Sequence, residues 1–215
     1  MTRRVLTLIA ASIAASGAAS IAAVGTAAGL VGGCQGKSEP DPPRPPPPVI
    51  EARTGSTTLA HIIAGHPCRA EIEGDELLIG TQPLVAQIGG TRWSGDDTAG
   101  DGTTTLRKDG AAVVRIRDAQ EAAIEVFDPR GAAILRLSAD GAIANGSGEV
   151  LRRAEATRTS IKIGDAVITG TTDIALGGLI TAPELIPEVR ALAACHRLFW
   201  HEQRGAAPVG SAGGK

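Results

Sequence analysis

The chain has 215 residues, of which 43% are hydrophobic and 20% charged, and its formal net charge is −2 at pH 7. This acidic balance lacks the basic footprint that a nucleic-acid partner requires, and the charge fraction is too low for a disordered chain. With two Trp, two Phe and no Tyr, a groove that stacks sugars or bases is also disfavoured. Ala, Val, Ile and Leu must fill the core, which predicts thin, closely packed layers.

The N-terminal segment has the features of an export signal. Arg3 and Arg4 precede an uncharged run from Val5 to Cys34 that is rich in Ala and Gly. A positive start, an apolar middle and small residues before a cleavage site are the parts of a secretory signal. We therefore interpret residues 1–33 as a signal peptide. An uncut membrane anchor, cleavage after a small residue such as Ala18, and no export at all are the alternatives.

The junction Val31-Gly32-Gly33-Cys34 resembles a lipobox, where bacterial lipoprotein precursors are lipidated on cysteine and cut just before it. The resemblance covers this segment alone. It implies lipid attachment at Cys34 through several acyl chains, since one chain gives only marginal membrane binding. In enteric bacteria a residue other than Asp after the cysteine directs the protein to the outer membrane, and Gln35 follows here. The resemblance thus implies an outer-membrane lipoprotein of the cell envelope that faces the periplasm or the exterior.

Composition also predicts the domain organisation. Residues 34–48 comprise the lipidated Cys and a proline-rich linker, which favours an extended, semi-rigid stalk. A docking site for a proline-binding module is the alternative. Residues 49–204 are predicted to form a single globular α+β domain, long enough to bury a core. Residues 205–215 have nothing to bury and are predicted to be a disordered tail.

The domain is predicted to be mainly β, with helices at both ends. Leu59, Ile62 and Ile63 follow three hydroxyl residues at a spacing that predicts a short N-terminal helix, and Gly65 suits its C-terminal cap. Two β-like runs on either side of Gly74 then predict a hairpin.

Residues 103–170 contain an imperfect repeat. Three glycine-led segments, GAAVVRIR, GAAILRLS and GEVLRRAE, carry an aliphatic residue three positions after Gly and an Arg five positions after it. Because strand side chains alternate, the arginines should face away from the core. The pattern predicts an antiparallel β-meander of imperfect hairpins. A second Arg in the third copy indicates an edge strand. The three arginines form a candidate anion-binding row, with ion pairs to neighbours such as Glu125 as the simpler interpretation: Arg115, Arg136 and Arg153.

Two helices are predicted near the C-terminus, packed on the sheet. Thr172 and Asp173 can cap a helix over Ile174–Ile180. Pro187 suits the first turn of a longer helix that reaches about Glu202. The second helix carries one apolar stripe, formed by Val189, Leu192, Cys195 and Phe199.

Cys68 and Cys195 are the cysteines that remain after Cys34. In an oxidising compartment such a pair indicates a disulfide, and two separately buried thiols are the alternative. The bridge would close a long loop, for which the chain-entropy model gives about 4–5 kcal/mol of stability.

The four histidines lie near these cysteines in sequence: His61, His66, His196 and His201. One alternative is a mixed zinc site formed by His66, Cys68, Cys195 and His196. Adjacent residues on a helix diverge by about a quarter-turn, however, which disfavours that ligand set. A Cys/His hydrolase is a second alternative, although no nucleophile motif surrounds either cysteine. Surface or capping histidines are favoured, so we predict no catalytic residue, metal or cofactor.

Together these patterns predict an envelope lipoprotein with a non-catalytic structural or ligand-binding role. Its partners would be the membrane, through the lipid anchor, and an envelope protein or polymer, but not nucleic acid. The globular part resembles no characterised family.

Overall fold

The computed structural model describes residues 46–97, 102–118 and 123–205, with side chains as far as Trp200. The predicted signal peptide, the lipid site at Cys34, most of the linker and the tail beyond Gly205 lie outside the described residues. The described residues form fourteen strands and two helices.

The strands are short and follow one another closely along the chain. In order they are β1 (Val49–Thr54), β2 (Thr57–Ile63), β3 (Cys68–Ile72), β4 (Asp75–Thr81), β5 (Leu84–Ile88), β6 (Thr91–Asp96), β7 (Thr103–Lys108), β8 (Ala111–Asp118), β9 (Ile124–Phe127), β10 (Ala133–Leu137), β11 (Ala142–Asn145), β12 (Val150–Ala156), β13 (Ser160–Ile163) and β14 (Ala166–Thr169). The helices are α1 (Ile174–Ile180) and α2 (Pro187–Gly205).

The strands form one closed antiparallel barrel, in which each strand pairs with its neighbours in sequence and β14 returns to β1. Ala52 on β1 lies opposite Ile168 on β14 and opposite Ala60 on β2. The predicted antiparallel, mainly β domain is confirmed, and the hairpin around Gly74 is formed by β3 and β4. The meander extends over the whole domain and closes on itself, because every described strand finds a partner on both sides.

The predicted N-terminal helix is wrong. Residues Thr57–Ile63 form β2, in which Ala60 and Ile62 are buried and alternate with less buried neighbours. The β-branched residues Thr57, Thr58, Ile62 and Ile63 favour an extended strand. Pairing with β1 and β3 then satisfies the backbone amides that a short helix would satisfy internally.

The predicted edge strand is also wrong. β12 is hydrogen-bonded to β11 and to β13. Arg152 is accommodated there because its Nη2 donates to both carboxylate oxygens of Glu184, at 2.7 and 2.6 Å, and its Nη1 donates to the carbonyl oxygen of Thr181 at 3.3 Å. The extra arginine thus reaches the connection between the two helices instead of marking an unpaired edge.

Side chains alternate between an apolar interior and a polar outer face. On β3, Cys68, Ala70 and Ile72 are buried, whereas Arg69 and Glu71 are exposed. Each strand therefore presents one set of side chains to the core and the alternate set to solvent. The predicted orientation of the arginine row is confirmed by the same rule, because the row's neighbours Val114, Ile116, Leu135 and Leu137 are buried.

The two helices lie inside the ring of strands rather than on a sheet. A barrel of about eight strands is filled by its own side chains, whereas one of sixteen or more leaves a channel. A fourteen-strand ring has an interior that small aliphatic residues cannot fill alone. α1 lies against Leu137 on β10 and against Ile161 and Ile163 on β13, whereas α2 is covalently joined to β3. Contacts on well-separated strands place the helices in the interior.

Small residues set how closely the helices approach the wall. A Cβ atom on Gly178 would lie 2.6 Å from Cδ2 of Leu137, and one on Gly177 would lie 3.3 Å from Cδ1 of Ile161. All residues of α1 from Ala175 to Ile180 are buried, as expected for a helix that is apolar on every side. The expectation of thin stacked layers is therefore replaced by a ring packed around helix backbone. The bounds predicted for α1, and its cap at Asp173, are confirmed.

The predicted disulfide is present between Cys68 on β3 and Cys195 on α2. Both cysteines are 1% exposed, and their Cα atoms are 6.0 Å apart. The bond joins residues 127 positions apart in sequence. It therefore links β3, near the start of the barrel wall, to α2, the later of the two described helices, which fills the interior.

We expect the double substitution Cys68→Ala and Cys195→Ala to lower the free energy of unfolding by about 2–5 kcal/mol, because the unfolded chain regains the entropy of a long open loop. Urea denaturation of the full chain, followed by circular dichroism, measures the change. Reductant should destabilise the wild-type chain by a similar amount and leave the double variant unaffected. Equal stability of the two proteins without reductant would contradict the prediction.

Candidate functional site

The two ends of the barrel are built differently. At the end where β3 turns into β4 through Glu73 and Gly74, which we call the Glu73 end, five connections between strands are two-residue turns. At the other end, which we call the Pro48 end, β1 begins, β14 and α2 finish, and several connections are longer, including residues 97–102 and 119–123. Binding sites are commonly built from longer connections on a rigid scaffold. Buried Arg197 on α2 and a cavity of about 550 Å³ also lie at the Pro48 end.

Arg197 on α2 is the centre of a buried ion-pair network at this end. Its Nη1 donates to Oδ1 of Asp118 on β8 at 2.6 Å, and its Nε donates to Oδ2 of Asp173 at 2.5 Å. Asp173 also caps α1, because its Oδ1 accepts hydrogen bonds from the amides of Ala175 and Leu176. One guanidinium thus ties the barrel wall, the start of α1 and the end of α2 together, and its fork geometry suits two carboxylates.

His196, the neighbour of Arg197, is held as a neutral imidazole. Nε1 of Trp200 donates to Nε2 of His196 at 2.6 Å, and Oγ1 of Thr104 lies 3.2 Å from the same nitrogen. Because an indole N–H can only donate, Nε2 must carry a lone pair and the ring proton must be on Nδ1. Burial lowers the pKa of His196 below 6.5, and the charges of Asp118 and Asp97 offset part of that effect. Geometry and desolvation therefore favour the same protonation state.

This arrangement does not present a nucleophile. Thr104 is 4% exposed, and the histidine nitrogen nearest to it already accepts the Trp200 hydrogen bond. The Asp118 carboxylate is held by Arg197. A cavity of about 20 Å³ lies among Asp97, Thr104, Asp118 and His196, which is room for about one water molecule. The cluster is therefore a structural polar network with space for solvent and not for a substrate.

The histidine and cysteine residues of the zinc hypothesis do not form one site. Cys68 and Cys195 are bonded to each other. Nδ1 of His66 lies 2.5 Å from Oγ1 of Thr81, and its ring meets the Phe199 ring edge-on with centroids 5.0 Å apart. Within residues 46–97, 102–118 and 123–200, no three His, Cys, Asp or Glu side chains are placed to hold a metal ion.

His61 is separate from this end's buried network. His61 is on β2, where it pairs in register with Glu51 and with Glu71, and it lies on the outer face because its neighbours Ala60 and Ile62 point inwards. The side chain of His201 lies outside the described residues.

The arginine row lies on the outer face across alternate strands β8, β10 and β12. Nε of Arg136 is 3.5 Å from Oε1 of Glu125, and Nη1 of Arg153 is 3.8 Å from Oδ2 of Asp140. Arg117, which the repeat did not single out, forms the closer ion pair with Glu125. The predicted pairing with Glu125 is confirmed for Arg136. The three arginines lie on alternate strands and do not surround a single site. Anion binding by the row stays a prediction.

A shallow groove of about 370 Å³ lies on the same outer face between β12 and β13. It is lined by Arg152, Arg153 and Lys162, and also by Glu155, which is directly opposite Lys162 across the two strands. Since Arg152 is paired with Glu184 and Glu155 contributes a negative charge, the groove offers little net attraction for an anion.

A second, wider recess is a cavity of about 550 Å³ at the Pro48 end, which we call the mouth pocket. It lies between the first residues of β1, the β12–β13 turn, the connection from β14 to α1, and the last half of α2. Cavities of roughly 300–1,000 Å³ in the mouths of barrels are common ligand sites. The pocket is lined by Pro48, Ile50, Arg158, Thr159, Gly170, Thr171, Thr172 and Leu198.

Little in the sequence indicates this pocket. Its lining comes from four separate segments, and the sequence patterns predict a place for only two of its residues, Thr172 in the cap of α1 and Pro48 in the linker. The ion-pair network left a clearer signal. Arg190 and Arg197 are seven residues apart on α2, about two helical turns, and so lie on nearly the same face of an Ala-rich apolar helix. Charged residues are almost never fully buried unless they are paired, so two arginines on that face indicate buried ion pairs.

No family model, curated protein or solved structure matches this chain. Among the described residues, the structure contains no helix long and apolar enough to cross a bilayer.

We expect Arg197→Met to lower the free energy of unfolding by about 3–5 kcal/mol, because it leaves the carboxylates of Asp118 and Asp173 without their buried cation. The matched control is Arg53→Met, which removes an exposed arginine paired with Glu51 at 2.7 Å and should cost no more than about 1 kcal/mol. Chemical denaturation of both variants measures the difference. Similar losses in the two variants would refute the assignment of Arg197 as a structural centre.

We expect His196 to make the barrel less stable in acid. The pKa of His196 is lowered in the folded state, so below about pH 6.5 the unfolded chain binds a proton that the native protein does not bind. The free energy of unfolding should then fall as pH drops, by at most about 1.4 kcal/mol per pH unit. The loss should level off below the folded-state pKa, and nothing should change above about pH 6.5.

His196→Gln tests this, because the amide oxygen of Gln can accept the Trp200 hydrogen bond but does not titrate. The Tm of the variant should fall less than the wild-type Tm between pH 7.5 and pH 5. Trp200→Phe, which removes the N–H donor and shortens the ring but keeps an aromatic group beside His196, should give an intermediate slope. Parallel Tm profiles for wild type and His196→Gln would show that His196 is not the responsible group.

Proposed function

We propose that the protein is a lipid-anchored lipoprotein of the cell envelope with a non-catalytic, ligand-binding role. In this proposal residues 1–33 are a signal peptide that is removed, and Cys34 carries the lipid. Residues 34–48 form a stalk. The barrel formed by residues 49–204 is displayed at the outer membrane, on its periplasmic or exterior side.

The Cys68–Cys195 disulfide is the observation that carries the proposal. Structural disulfides form and persist in oxidising compartments and are rare where thiols are kept reduced. Both cysteines are buried and adjacent in space. A disulfide at this position and the lipobox-like junction at Cys34 point to the same compartment through different chemistry, one through redox conditions and the other through processing of the N-terminus.

The mouth pocket supports a ligand-binding role over a purely structural one. The barrel interior is occupied by α1 and α2, so a ligand would have to bind outside it. The pocket combines buried Ile50 with polar residues such as Thr171 and Arg158, which is the mixture of apolar surface and a few polar groups that small-molecule sites share.

The hydrolase alternative loses its nucleophile in this fold. A thiolate is the reactive form of cysteine, and the sulfur atoms of Cys68 and Cys195 are joined to each other. The zinc alternative needs the same two sulfurs as ligands. No observation in the described part of the chain favours either one over a binding protein.

The proposal predicts that mass spectrometry of the protein from native membranes will find a mature N-terminus at Cys34 with attached acyl chains. Cys34→Ser should abolish acylation and leave the precursor uncut at this junction. As an internal control, thiol titration of the denatured, unreduced mature protein should find Cys68 and Cys195 both blocked. Recovery of the intact chain from cytosol, with Met1 present and both later cysteines reduced, would overturn the proposal.

A further inference from the structure

The mouth pocket has an apolar floor and a polar rim. Ile50, at 1% exposure, and half-buried Leu198 from α2 form the floor, and exposed Pro48 also lines the pocket. The rim carries the hydroxyl groups of Thr159, Thr171 and Thr172. Of the described residues that line the pocket, none is aromatic, so stacking of sugars or bases would gain little there. Apolar surface of this kind instead favours an aliphatic group.

Arg158 is the charged residue in the described lining of the pocket. It is exposed in the turn between β12 and β13, and no ion pair is formed by it within the part of the chain that the structure describes. An unpaired guanidinium beside an apolar floor favours an anionic head group, since hydrogen bonds to charged groups are the stronger ones. A single cation suits one anionic group and not a polyanion.

The walls of the pocket are held in place before any ligand binds. Oγ1 of Thr157 accepts hydrogen bonds from the amides of Thr159 and Ser160, which fixes the turn that carries Arg158. Gly170, which directly follows β14, also lines the pocket; it has a φ of +82°, and a Cβ atom there would lie 1.9 Å from the carbonyl oxygen of Val49. The backbone at this wall is thus packed as closely as glycine permits. Rigid walls lower the entropy cost of binding.

We propose that the mouth pocket binds a single-chain amphiphile with an anionic head group. Its alkyl chain lies against Ile50 and Leu198, and its head group is held by Arg158 and the rim hydroxyls. This inference rests on the proposed ligand-binding role and names the class of ligand.

The experiment uses the full chain in phosphatidylcholine nanodiscs and a dodecanoic acid that carries a photoreactive diazirine on its chain. After illumination, peptide mapping should find the label on peptides that contain Ile50 and Leu198. Unlabelled dodecanoate should compete, whereas dodecyltrimethylammonium, with the opposite charge, should not. Dodecyl phosphate distinguishes a carboxylate head group from a phosphate head group. If it competes with the label, the site accepts a phosphate; if it does not compete, the site is restricted to carboxylates.

Four variants locate the site. Arg158→Ala should reduce labelling roughly tenfold or more, from loss of a hydrogen-bonded charge, and Arg158→Lys should retain most of it. Thr172→Trp, at an exposed position on the rim, should block labelling without lowering the Tm. The matched control is Arg130→Ala, which removes an exposed arginine from the β9–β10 turn at the Glu73 end and should label like the wild type.

Labelling elsewhere in the chain, equal competition by dodecyltrimethylammonium, or equal labelling of Arg158→Ala and wild type would overturn the inference. If these occur while Cys34 is acylated and Cys68 and Cys195 are bridged, the inference fails and the envelope assignment stands. If the pocket is labelled as expected but Cys34 is unmodified and the thiols are free, the envelope assignment fails and the pocket stands.

Discussion

A ring of fourteen strands must enclose something, and here it encloses α1 and α2. The wall supplies mostly Ile, Leu and Ala side chains, with Trp93 as the large exception, and these cannot reach across an interior of that width. Helix backbone fills the remaining volume. This solution requires small residues where helix and wall approach closely, as Gly177 and Gly178 show. It also makes α2 the element on which the barrel's packing depends, because removing it would leave the ring unfilled.

Charged side chains on a helix inside a barrel must be paired, and α2 carries two buried arginines that are. At the Glu73 end, Nη2 of Arg190 donates to Oε1 of Glu73 at 2.5 Å and Nη1 donates to the carbonyl oxygen of Ile180. At the Pro48 end, Arg197 pairs with Asp118 and Asp173. The disulfide from Cys195 to β3 adds a covalent tie between these two points. The helix is therefore fixed between Arg190 and Arg197 by ion pairs, hydrogen bonds and a disulfide, and Leu198 directly follows this fixed segment at the mouth of the barrel.

The sequence predicted the local structure better than the closure. Alternation in GAAVVRIR and GAAILRLS predicts strands with outward arginines, and Asp173 is predicted as a cap, because both features depend on residues close in sequence. The disulfide is predicted because only two cysteines, Cys68 and Cys195, follow Cys34. The N-terminal helix was wrong because Leu59, Ile62 and Ile63 satisfy a helical spacing, while the preference of their β-branched neighbours for strands decides the outcome only once β1 and β3 are present. Closure of the barrel depends on the pairing of β14 with β1, which are far apart in sequence, and no local pattern predicts that pairing. The mouth pocket, assembled from four segments, was hidden for the same reason.

The position of the candidate site follows from how the interior is filled. If the helices were absent, a ligand could enter the barrel, as in open barrels with a central cavity. Here the apolar interior is occupied, and the outer wall carries ion pairs such as that of Arg136 and Glu125 together with scattered exposed aliphatic side chains. At the Pro48 end, apolar surface at Ile50 and Leu198 lies beside the hydroxyl groups of the rim and beside Arg158, which forms no ion pair among the described residues. The short glycine turns of the Glu73 end leave no comparable recess among the described residues. A binding function in this fold is therefore expected at the mouth, where the packing of α2 against the wall ends.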